Sequence, residues 1–188
     1  MRTPRRCWPT ANPLLTAYHD REWGVPVHED QRLFEGLVLQ TMQAGLSWTL
    51  VLAKRAALRT AFDGFRPGRI ARYGAPEIRR LLGNPAIIRN RAKIEATIQN
   101  ARAFARVREA HGTFDRYVWR FVNGRTVRHH FRRLSAVPDE TRESRALSND
   151  LRRWGFRFVG PVVCYSFMQA AGLVNDHLMH CFRWRTLR

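Results

Sequence analysis

The segment ESRALSNDLRRWGFRFVGPVVCYSFMQAAGLVNDH, residues 143–177, constrains the fold more than any other part of the chain. Leu147, Leu151 and Trp154 recur at i, i+4 and i+7, the stripe of an amphipathic helix. GFRFVG then interrupts the period, and Pro161 stands where a new helix would begin, a position at which a missing N–H costs nothing. The pattern predicts two helices joined by a short, glycine-bounded hairpin. At such a turn, free backbone N–H groups and a helix N-terminus suit an anion such as a DNA phosphate, which makes Val159 and Gly160 candidate DNA contacts.

The remaining periodic signals are helical too, so the expected class is all-α. Asp30 is a plausible N-cap for a helix with Phe34, Leu37, Val38 and Thr41 on one face, closed by Gly45. A second helix is expected from about Ser47 to Phe62, and APEIRRLL reads as a short one ending near Gly83. Ile87, Ile94, Ile98, Ala101 and Phe104 stripe a longer helix, and TFDRYVWRFV is another short one. NGRTVRHHFRRLSAVPDE mixes turn formers with basic residues and is expected to be an exposed connection. The length fits one compact unit, residues 1–188, or two intimately joined lobes.

The formal charge is +18, and Lys54 and Lys93 are the only lysines among the 33 basic side chains. Such an excess points to a polyanion, nucleic acid first, although it is spread along the whole chain. With 45% hydrophobic residues the chain should fold. MRTPRRCWPT lacks an apolar signal region and no run is long enough to span a bilayer, so the expected location is the cytoplasm, with no membrane partner.

The stretch AYHDREWGVP, residues 17–26, follows neither a helical nor an alternating period, yet it holds a histidine, a tyrosine, a tryptophan and two acids. Either His19 ligates a metal, or the aromatics line a pocket, or both. In the tail NDHLMHC, His177 and Cys181 are four apart, on one face if the segment is helical, with His180 a rival ligand on another azimuth. Cys7 and His19 form a second pair. Together they would make a closed tetrahedral Cys2His2 site, structural rather than catalytic, clipping the chain ends together. The competing reading is a hydrogen-bonded loop histidine and no metal. Cys164, in an apolar helix, reads as core. Asp20 and Glu22 read as capping and loop hydrogen-bonding residues before catalytic ones.

AYHDREWGVP, QAGLSWTLVLAKR, IIRNRAKIEATIQNARAF and GFRFVGPVVCYSFMQAAGLVNDH closely resemble the DNA-3-methyladenine glycosylase I family over roughly residues 7 to 181. The resemblance implies a helix-hairpin-helix glycosylase fold, excision of 3-methyladenine from double-stranded DNA carrying alkylated bases, and one structural zinc ion on Cys7, His19, His177 and Cys181. It puts pocket aromatics at Trp8, Tyr18, Trp23 and Trp48, and makes Gln43, Ala44, Gly45 and Leu46 the segment that fills the gap left by the extracted nucleotide. Asn175 stands near the place where other glycosylases of this superfamily carry a catalytic aspartate, which this family lacks. Two departures stand out. The family's pocket acid is replaced by Gln40, and a pocket tyrosine by Leu15. Cys7 and Trp8 also lie one residue closer together than is usual in the family.

The expected enzyme is a monomeric, monofunctional hydrolase of N-glycosidic bonds. Gln40, Trp48, Tyr18 and Trp23 form the catalytic group, Trp8 and Leu15 are further pocket walls, and Gln40 alters lesion preference. The alternative is a zinc-stapled module that binds damaged DNA without catalysis. A zinc nucleobase deaminase is set aside, because VHED is followed by no proline-cysteine-x-x-cysteine signature.

Overall fold

The computed structural model describes residues 5–8 and 10–187. In chain order, the helices are α1 (Pro13–Arg21), α2 (Asp30–Gln43), α3 (Trp48–Ala61), α4 (Pro67–Ile70), α5 (Ala75–Leu82), α6 (Arg91–His111) and α7 (Phe114–Trp119), followed by α8 (Arg142–Arg153), α9 (Pro161–Ala170) and α10 (Phe182–Thr186). Strands β1 (Val127–Arg128) and β2 (Val174–Asn175) pair in parallel, so the fold is mostly helical with one short ladder.

Side-chain caps set several helix starts. Asn12, Ser47, Asn90 and Thr113 each accept a backbone N–H of the following first turn. Thr141 and Ser144 exchange hydrogen bonds at the start of α8. Asp30 departs from expectation. Glu29 is the N-cap of α2, and the Asp30 carboxylate instead accepts the backbone N–H of Asp115 on α7. The stripe of the long helix also begins later than expected, because Ile87 lies in the loop before α6, although it is buried.

The predicted helical hairpin is present as α8 and α9, joined by residues 154–160. Leu147 and Leu151 are fully buried, each worth about 1.5–3 kcal/mol of apolar transfer, while Trp154 is half-buried at the C-cap. Asn100 of α6 braces the hairpin, donating to the carbonyl of Arg157 and accepting its N–H. The expected exposed connection is not wholly irregular. Val127 donates to the Leu173 carbonyl and His129 to that of Asn175, which lays β1 beside the stretch leading to the tail.

Two apolar clusters result. The larger gathers side chains from α2, α3 and α6 through α9, with Cys164 at its centre as expected. The smaller contains Cys7, Tyr18, Trp23, Leu178 and Cys181. Trp48 packs against both, so the groove between them opens at the start of α3.

Candidate active site and metal centre

Cys7, His19, His177 and Cys181 are all buried, and their ligand atoms lie within 4.8 Å of one another. Cys7 Sγ is 3.3 Å from His177 Nδ1, and Cys181 Sγ is 3.5 Å from both His19 Nε2 and His177 Nδ1. With Zn–N bonds of about 2.0–2.1 Å and Zn–S bonds of about 2.3 Å, a tetrahedral nitrogen–sulfur edge is about 3.5 Å. These four residues can hold a metal ion, and doing so joins the N-terminal segment to the tail.

The outer ring nitrogens are anchored as metal-bound histidines usually are. His19 Nδ1 lies 2.8 Å from Asp20, whose carboxylate also takes two nitrogens of Arg6, at 2.9 and 2.7 Å. The Arg6 hydrogen bond, with help from His19, holds the Asp20 carboxyl below the usual range. His177 Nε2 sits 2.9 Å from the carbonyl of Trp23. Both inward nitrogens thereby point into the cluster as acceptors, His19 Nε2 lying 3.3 Å from the Cys7 backbone N–H. Cys7 and the His177 and His19 rings hold the Cys181 thiol well below its usual range. The backbone N–H of Leu178 donates to Cys7 Sγ at 3.3 Å.

The tail reaches this geometry by a different route from the one expected. His177 and Cys181 lie on no common helix; a turn closed by Cys181 N–H to Leu178 O at 2.7 Å brings them together, and α10 starts only at Phe182. His180 is exposed, its ring 3.3 Å from the Arg6 carbonyl, and takes no part in the cluster.

The aromatic walls rest directly on this centre. Trp8 packs edge-on against His19 and Trp23, each at 4.8 Å, and Trp23 against His177 at 4.5 Å. Tyr18 and Trp48 lean together at 5.1 Å, and burial raises the Tyr18 hydroxyl pKa. Trp8, Tyr18, Trp23 and Trp48 line one cleft of about 220 Å³ with Gln40, Gln43, Ser166 and Gln169. Leu15, half-buried on α1, is not among the residues lining the cleft.

Gln40 is 4% exposed, and its Oε1 has no partner among the described residues. Trp48 Nε1 is likewise buried and unpartnered. Gln40 and Trp48, which carry a buried orphan acceptor and a buried orphan donor, both line the cleft, and unpaired buried polar groups are uncommon outside functional sites. Gln40 also lines the neighbouring depression formed by Gln43, Ala44, Gly45, Leu46, Val162, Val163 and Ser166. Leu46 is exposed at 37% beside the N-terminus of α9.

In the hairpin, Val159 is 1% exposed, and its carbonyl accepts Ser148 Oγ at 2.6 Å; Gly160 is half-buried. The Val159 side chain is therefore core, and the exposed apolar residue of this turn is Phe158, at 41% and with φ +55°. Sequence reading missed it because the period breaks there. Asn175 is buried, donating to the Leu187 carbonyl and accepting the His177 N–H. Neither Asp20 nor Glu22 caps a helix with its side chain: Asp20 is held by Arg6 and His19, and Glu22 by Arg55. An unforeseen ion-pair network lines a second pocket beside Tyr18, Gln40 and Trp48: Arg55 also binds the buried Glu35, which Arg59 binds in turn.

The helical scaffold that carries this cluster and cleft is shared with solved glycosylase structures. One described as 3-methyladenine DNA glycosylase I superimposes with a TM-score of 0.92 at 47% identity, covering 95% of this chain and 98% of the other. A tyrosine-to-phenylalanine variant of 3-methyladenine DNA glycosylase I, solved in complex with 3-methyladenine, gives 0.90 at 36% identity, covering 92% and 93%. DNA-3-methyladenine glycosylase 1 of Escherichia coli is 46% identical over 94% of this chain and 95% of its own. The methyladenine glycosylase family model matches residues 8–184, and the chain belongs to that family.

Proposed function

We propose that this protein is a monofunctional DNA glycosylase that extrudes and hydrolytically excises 3-methyladenine from double-stranded DNA, with Gln40 altering its preference among N3-alkyl purines. The observation that carries this reading is the aromatic cleft whose buried Gln40 acceptor lacks a partner among the described residues, in a chain 46% identical to DNA-3-methyladenine glycosylase 1 of Escherichia coli.

A base inside a duplex cannot be reached, so it is flipped out at a cost of a few kcal/mol that is smaller for a damaged base. Arginines anchor the flanking phosphates, which binds without sequence preference and weakens with salt. Leu46 enters the vacated stack as an apolar wedge. Trp8, Tyr18, Trp23 and Trp48 receive the base, and stacking supplies about 1–3 kcal/mol. A cationic purine gains about 0.5–2 kcal/mol more from the ring faces. The Gln40 amide can accept from an adenine N6 amino group and donate to N7, a match known from groove recognition.

N3-alkylation makes the nucleotide cationic. As the C1′–N9 bond breaks, its electron pair neutralises the departing base, and a water oxygen bonds to C1′ and loses its proton to solvent. Little acid catalysis is needed. Both lysines are committed to backbone carbonyls, Lys54 to Pro85 and Ala86 and Lys93 to Met42 and Ala44, which speaks against a lysine-linked intermediate.

The four-residue cluster suits one structural zinc ion, because its Cys2His2 donor set and its nitrogen–sulfur separations of 3.3 and 3.5 Å match a closed tetrahedral site; bound there, zinc ties the chain ends and takes no part in the chemistry. The working form is a monomer in a prokaryotic cytoplasm, bound to the nucleoid. The test is incubation of methylated duplex DNA with the protein and identification of the released base. Free 3-methyladenine with matching abasic sites is expected. Lesion-DNA binding without any released base would overturn the reading in favour of a non-catalytic module.

A further inference from the structure

We propose that Lys93 is a positioning residue for base extraction, holding the Gln43–Leu46 turn in the conformation that aims Leu46 into DNA. This rests on the reading of Leu46 as the wedge given above.

Leu46 N–H donates to the Gln43 carbonyl at 2.7 Å, closing a four-residue turn. Ala44 has φ −48° and ψ 115°, and Gly45 has φ +73°. These are the angles of a type II turn, which requires a positive φ at its third residue and therefore favours glycine there. Types I and II interconvert by a flip of the central peptide, here Ala44–Gly45, and ordinary residues prefer type I.

Lys93 decides that orientation. Its Nζ donates to the Ala44 carbonyl at 2.6 Å and to the Met42 carbonyl at 2.9 Å. The first is the carbonyl of the central peptide. While the ammonium holds it inward, the Gly45 N–H on the same trans peptide faces the opposite way. The second belongs to the last turn of α2, whose carbonyls lack helical partners and whose dipole favours a cation. A single buried charge thus ends the helix and fixes the turn after it.

Local preference does not account for a lysine at this position. Lys93 lies in the first turn of α6, where its charge opposes that helix's own dipole. It is 5% exposed, so it is not a solubilising surface group. In a chain that otherwise uses arginine almost throughout, a compact ammonium with rotatable donors persists where two carbonyls must be bridged in little space. Ser47, accepting Leu50 N–H at 3.3 Å, secures the far end of the turn as the N-cap of α3. With both ends held, Leu46 stays exposed without being loose, which lowers the cost of inserting it.

The experiment compares Lys93→Met, Leu46→Ala and the double variant in single-turnover excision from methylated duplex DNA, with calorimetric binding of free 3-methyladenine as a second readout. Lys93→Met is expected to slow excision about ten- to hundredfold, the scale of a charge-assisted hydrogen bond felt at the barrier. Affinity for the free base should stay within about twofold, since a base that needs no extraction needs no wedge. Added to Leu46→Ala, Lys93→Met should cost less than about threefold more, because the two act as one unit. Loss of free-base affinity in parallel with excision, or fully multiplicative effects, would overturn the proposal while leaving the wedge standing. If Leu46→Ala excises normally, the wedge reading falls and this proposal falls with it. Should Lys93→Met not fold, Gly45→Ala carries the test. No atom lies within 4 Å of the added methyl group, so only the positive φ opposes it. Excision must then drop with free-base affinity preserved, and unchanged excision would overturn the role assigned to the turn.

Discussion

The imidazole of His177 joins the Cys2His2 cluster to the wall of the aromatic cleft, with Nδ1 facing the two cysteine sulfurs and Nε2 lying 2.9 Å from the Trp23 carbonyl. Trp8 completes the link through its edge contact with His19. Anything that releases the cluster should therefore reach the cleft as well as the chain ends.

Metal removal is the direct check. One equivalent of zinc per chain is expected by elemental analysis. Chelation, or Cys181→Ala, should destabilise the fold by about 3 kcal/mol or more, because the ligands have no preformed site once the ends part. Tryptophan fluorescence and free 3-methyladenine affinity should change together with the melting temperature. Cleft binding unaltered in metal-free protein would show that the two are independent.

Gln40 carries a stability cost that function accounts for. Its buried Oε1 has no partner among the described residues, and an unsatisfied buried group costs about 1–3 kcal/mol. Gln40→Met should raise stability by about 1 kcal/mol and lower excision severely. Gln40→Glu should act oppositely on the chemistry. A carboxylate about 4 Å from a cationic base is worth about 4 kcal/mol at an effective dielectric of 20, before desolvation is subtracted. Single-turnover rates on 3-methyladenine and 3-methylguanine DNA should rise or change their ratio in Gln40→Glu; identical rates throughout would refute the role given to this residue.

Lining the second pocket, Arg55 of α3 binds Glu22, just after α1, at 2.5 Å and Glu35 of α2 at 2.8 Å. It ties together the three segments that carry Tyr18, Gln40 and Trp48. Arg55→Met should cost about 2 kcal/mol, less than full loss of a buried pair because Arg59 still binds Glu35. Adding Glu35→Gln should recover part of that loss, giving a non-additive cycle in urea denaturation. Simple additivity would mean that the pair is not coupled.

Gly172 admits no side chain. Its φ is +71°, and an added Cβ would lie 2.4 Å from Pro26 N and Val25 C. Gly172→Ala should destabilise by about 3 kcal/mol or more, since both the backbone conformation and a main-chain crossing must give way. A melting temperature close to that of the parent protein would contradict this packing.

Much of the helical layout was legible in the sequence, because apolar side chains at a 3.6-residue period must face one core. Leu147 and Leu151, the helix start at Ser47 and Pro161 at the start of α9 all lie where the pattern puts them. The chain ends were legible differently. No local rule brings Cys7 to Cys181, and His177 and Cys181 meet through a turn rather than the shared helix face that their spacing suggested. Asp30 resembled a cap for its own helix and caps α7 instead, because a short carboxylate serves whichever orphan N–H the packing brings near.

What sequence alone determined, then, is what neighbouring residues decide among themselves: helical period, caps, turns, and a motif order specific enough to identify the family. Tertiary structure alone decided the rest. It left Gln40 Oε1 without a partner among the described residues, buried Val159 while exposing Phe158, and put the Lys93 ammonium on the Ala44 carbonyl. These are contacts between groups far apart in the chain, and their energies depend on burial and distance, which exist only once the helices have packed.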